Sequence, residues 1–66
     1  MTFTAWLRKQ VWRDDPVGDL ARDVVVDPTW PRTRGYFGFH LYLRKLAACE
    51  GAQRTLSQAW AEWSQR

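Results

Sequence analysis

The chain has 66 residues, 45% of them hydrophobic and 15% aromatic, with ten Lys and Arg against seven Asp and Glu for a net charge of +3. A domain this small buries only about 60% of the surface its unfolded chain exposes, which argues for one domain with a core of large side chains and against a deep catalytic cleft. Cys49 stands alone, which excludes an internal disulfide and any Cys/His zinc set, and no stretch approaches a signal peptide or the roughly 20 apolar residues that span a bilayer, so a soluble, cytoplasmic protein is expected.

In chain order, Phe3, Trp6, Leu7 and Val11 fall three and four apart, which predicts a first helix with those side chains on one face, Arg8 and Lys9 on the other, and Thr2 as cap. Asp15-Pro16 predicts the start of a second helix, because Asp caps well and proline is tolerated at the first helical position. Val17, Leu20, Ala21 and Val24 carry its apolar stripe. Pro28 disfavours helix at the residue before it, so this helix should end near Val26 and the segment DPTWPRTRG should form a compact loop pinned by Trp30.

The third segment, from about Tyr36 to Ala47, is apolar nearly all round. With Tyr36, Phe39, His40 and Leu43 inward, Phe37 and Leu41 lie one turn apart on a different side, so the helix is either central or keeps an apolar face for a partner. The last helix, roughly Ala52 to Trp63, sets Leu56, Ala59, Trp60 and Trp63 on one side, with Gly51 or Cys49 marking the break before it. The only β-branched run, Val24 to Val26, sits inside a helical pattern, so strands are not expected. The expected fold is all-α, a compact bundle of four to five short helices forming one domain over residues 1–66.

Charge is unevenly spread. From Asp14 to Asp27 there are five Asp and one Arg, a net of −4, which leaves +7 on the remainder. Asp15, Asp19 and Asp23 recur every four residues and form a ridge drifting about 40° per step, prolonged by Asp27. One helical face brings at most two carboxylates together, too few for a calcium or magnesium site, so Asp15 reads as a cap and Asp19 and Asp23 as a solvated or docking face. His40, between Phe39 and Leu41, reads as a core-edge histidine making one hydrogen bond, and Cys49 as a small packing residue. Seven of the ten basic residues fall in three groups: Arg8, Lys9 and Arg13; Arg32 and Arg34; Arg44 and Lys45. If the loop and the end of the third helix converge, Arg32, Arg34, Arg44 and Lys45 form a phosphate-contacting patch.

The landmarks FTAWL, DDPVGDLARD, DPTWP, then Tyr36, Phe39, His40, Tyr42 and Leu43, then AWAEW, spanning about Phe3 to Trp63, resemble the small bacterial YozE-like proteins, whose fold is related to the sterile alpha motif. The resemblance implies a compact bundle of four or five short helices and little about activity, since relatives of that motif mostly bind proteins, sometimes their own copies and sometimes nucleic acid. The expectation is a non-catalytic protein–protein interaction module, a small bacterial adaptor or regulator. It would dock or self-associate through Phe37 and Leu41 or through the face of Asp19 and Asp23. No cofactor, metal, membrane or small-molecule substrate is expected, and the alternative is a nucleic-acid-binding accessory protein using the basic groups.

Overall fold

The computed structural model describes residues 1–33, 35–46 and 50–65. Among them run four helices, α1 (Phe3–Arg8), α2 (Pro16–Val26), α3 (Tyr36–Lys45) and α4 (Glu50–Ser64), and no strand. Its Cα radius of gyration, 10.7 Å, matches the ~10.8 Å that a compact chain of this length should have.

Each helix start has a local cause. Thr2 Oγ1 accepts the N–H of Ala5 at 3.1 Å to cap α1. Asp15 Oδ1 accepts the N–H of Gly18 at 2.9 Å to cap α2, with Pro16 following at the first helical position. Gly35 opens α3 in an extended conformation with no side-chain cap. The first helix ends at Arg8, short of the expected reach to Val11, which is exposed in the loop beyond it. That loop is tied down from α2: Arg22 Nη1 donates to the carbonyl oxygens of Val11 at 2.6 Å and Arg13 at 3.1 Å. The third helix stops at Lys45, with Leu46 as its C-cap, and Ala47 and Cys49 lie outside the described residues. Gly51 does not break the chain before the last helix but sits in its first turn.

The hub is α4, which packs against each of the other three helices, while α4 is the one described helix on which α3 packs its backbone. Side chains complete the core. Phe3, Leu7, Val17, Leu20, Ala21 and Val24 meet Phe39, Leu43, Leu56 and Ala59, all buried. Phe3 lies among four aromatic rings, with centroids 5.0 Å from Trp60, 5.2 Å from Phe39, 5.8 Å from Trp63 and 6.1 Å from Trp6. Such aromatic area lets a chain of this length hold together without a disulfide or metal.

Trp30 fixes the loop between α2 and α3. Its ring stacks on Phe39 at 5.2 Å and 14°, meets Tyr42 edge-on at 5.6 Å, and its indole N–H donates to Thr4 Oγ1 at 3.1 Å. The loop therefore runs back along α3, Thr29 beside Tyr42 and Thr33 against the bare Cα of Gly38, where a Cβ would come within 2.4 Å of the threonine methyl. Only glycine lets loop and helix approach so closely.

Candidate functional site

Because α3 leans on α4 on one side and on Trp30 and Phe3 on another, its remaining side is left uncovered. Phe37 and Leu41, one turn apart, are 69% and 50% exposed there. Arg44, one turn beyond Leu41, falls on the same stripe, with Lys45 at its edge, and both are exposed. The outer face of α3 is thus an apolar pair ending in two cations. His40 borders it: half-buried, with Nδ1 2.8 Å from Gln53 Oε1 and its ring 5.9 Å from that of Phe37. Gln53 Nε2 returns a hydrogen bond to the His40 carbonyl at 3.2 Å, which seats the ring against α4.

On α2 the acidic ridge divides. Asp15 is a cap and an ion-pair partner, its Oδ2 held by Arg13 Nη2 at 2.8 Å. Asp19 is exposed and paired with Arg22. Asp23 is exposed with no ion-pair partner among the described residues. The ridge does not continue to Asp27, because the backbone leaves the helix there at φ −93° and ψ 107°. Asp27 Oδ1 instead accepts from the N–H and hydroxyl of Thr29 at 2.9 and 2.8 Å, and Oδ2 from the Tyr42 hydroxyl at 2.6 Å. The Tyr42 hydroxyl, then the Thr29 donors, hold this carboxyl below its ordinary range, and the same bond pushes the Tyr42 phenol up.

The basic groups separate as well. Arg13 is mostly buried, bridging Asp15 and Glu62, with Nη1 2.7 Å from Glu62 Oε1 and Nη2 3.2 Å from Oε2, so it belongs to the scaffold. Those hydrogen bonds raise the guanidinium above its usual value and lower the Glu62 carboxyl. Arg32 lines a concavity of about 520 Å³ that it shares with Arg8 and not with Arg44 or Lys45. Arg34 lies outside the described residues. Among the described residues no group of three His, Cys, Asp or Glu is placed to hold a metal ion, and no helix is long and apolar enough to cross a membrane.

Sequence reasoning passed over the exposed apolar residues at the two ends of α2: Trp12 at 77% in the loop before it, and Val25 at 52% and Val26 at 77% in its last turn. Trp12 carried a signal, since it fits none of the three-and-four spacings that place Phe3, Trp6 and Leu7 in the core. Arg13 carried none, because its partner Glu62 is 49 residues away.

A family model described as YozE SAM-like fold matches residues 2–65, nearly the whole chain. No curated protein and no solved structure matches it.

Proposed function

The chain belongs to the YozE SAM-like family, and from that premise we propose that it is a non-catalytic protein–protein interaction module, a small adaptor or regulator of the bacterial cytoplasm. The observation that carries the reading is the uncovered pair Phe37 and Leu41 on a helix whose other sides are packed. A large exposed aromatic and a neighbouring aliphatic beside cations have the make-up of an interface hot spot. The partner face would be apolar with a carboxylate fringe to meet Arg44 and Lys45. A second copy offers such a face in Asp19, Asp23 and Val26 on α2, and the resulting head-to-tail contact is of the kind that builds rings or filaments.

Sedimentation at high protein concentration tests the self-associating form. Association that weakens with salt and is lost in Phe37→Ser with Leu41→Ser supports it, and a monomer in both low and high salt rules it out. For a different partner, the same double variant used as bait beside the native protein should lose whatever the native protein captures from its host. Equal capture would refute the α3 stripe as the docking face. A salt-sensitive affinity for duplex or single-stranded DNA that falls when Arg32 and Arg34 become Glu would favour nucleic acid instead.

A further inference from the structure

We propose that the concavity between α1 and the loop after α2 binds a phosphate monoester. Its uncommitted side chains are hydrogen-bond donors. Arg8 and Arg32 line it, are exposed, and make no ion pair among the described residues. Three threonines line it too, and the hydroxyl of each already accepts a hydrogen bond: Thr2 from the Ala5 N–H, Thr4 from the Trp30 indole, Thr33 from the Gly35 N–H at 3.3 Å. A hydroxyl whose oxygen is engaged in this way keeps its proton for an acceptor from outside, and none of the three donates to a described residue.

The one carboxylate in the lining, Asp27, has both oxygens engaged by Thr29 and Tyr42. Two guanidiniums and three hydroxyl donors suit a doubly charged tetrahedral oxyanion, since arginine pairs bidentately with phosphate. Trp30, Val25 and Pro31 supply apolar wall for the group that carries the phosphate, and about 520 Å³ lies within the ~300–1,000 Å³ of small-ligand sites. The site is separate from the α3 stripe and stands whether or not that stripe docks a protein.

The test is a ¹H–¹⁵N NMR titration of the full chain with inorganic phosphate, phenyl phosphate and a short peptide carrying one phosphoserine. The expected result is saturable movement of the Trp30 indole and of the Thr4, Arg8 and Arg32 signals. Arg8→Gln and Arg32→Gln, both surface changes that leave the core intact, should each weaken binding by roughly tenfold, the loss of one charge-assisted hydrogen bond. Arg44→Gln with Lys45→Gln alters the net charge away from this concavity and should leave phosphate affinity unchanged. Response to phenyl phosphate assigns a small-molecule ester, and response to the peptide alone assigns a phosphorylated protein. No shift by about 10 mM ligand, equal weakening in the Arg44 and Lys45 variant, or the same shifts from an oligonucleotide lacking a terminal phosphate would each overturn the proposal.

Discussion

At Gly18 two chain segments touch without a side chain between them. The carbonyl oxygen of Arg13 lies against α2 there, and a Cβ on residue 18 would fall 1.9 Å from it. Gly18→Ala should therefore destabilise the protein, although alanine is the better helix former by about 0.5–1 kcal/mol. Relieving so close a contact costs ~1–3 kcal/mol or more, because the obstacle is backbone and the loop is held by Arg22 and by the Arg13 ion pairs. The melting temperature should drop by about 5 °C or more, and an unchanged or higher value would show that the loop yields freely. Gly35 is the contrasting case, with nothing within 4 Å of its would-be Cβ and an extended N-cap conformation lacking a capping side chain. Gly35→Asp should stabilise α3 by about 0.5 kcal/mol through a cap and the helix dipole, seen as a higher denaturant midpoint with unchanged slope.

Within α3, neighbouring residues of like chemistry divide into packing and presentation. Phe39 is 1% exposed between Phe3 and Trp30, whereas Phe37 is 69% exposed. Phe39→Ala should cost about 3–5 kcal/mol, enough to unfold a marginal small domain in mild denaturant. Phe37→Ala and Leu41→Ala together should stay within about 1 kcal/mol of the native protein. If urea melts ranked the two sites equally, the uncovered face of α3 would be wrong. The bounds of α2 were legible because Asp15, Pro16 and Pro28 act on the backbone locally, and the inward set of α3 because side chains three and four apart share a face. The end of α1 was not legible. Val11 continues the spacing of Leu7, but the loop's bonds to Arg22, nine and eleven residues on, hold it off the helix. Nor did local pattern separate Arg32 from Arg44 and Lys45, since their spacing in space follows from the way Trp30 lays the loop along α3.

Across the whole molecule, two charged joints hold the helices in register, and both depend on pH. Arg13 links the α2 cap to Glu62 on α4, and Asp27 links the end of α2 to Tyr42 on α3. Asp15 is held below its ordinary 3.8 by the Gly18 N–H and then by Arg13, and Glu62 below its ordinary 4.5 chiefly by Arg13. Asp27 is held below 3.8 chiefly by Tyr42. With these three pKa values depressed in the folded state, the unfolded chain takes up protons first as pH falls, so stability present above about pH 5 declines below it. Tyr42 is raised above its ordinary 10.0 by Asp27, so the unfolded phenol ionises first on the alkaline side and stability declines above about pH 10. The expected profile of denaturant midpoint is a plateau from about pH 5 to about pH 10 with a fall on each side. Arg13→Gln should lower the plateau and make the acid limb shallower, since Glu62 loses its main partner while Asp15 keeps the Gly18 bond. Tyr42→Phe should leave the Arg13 joint intact, reduce the acid limb by the share of Asp27 and remove the alkaline fall that Tyr42 contributes. An acid limb as steep in Arg13→Gln as in the native protein would mean that the carboxylates holding the bundle together lie elsewhere.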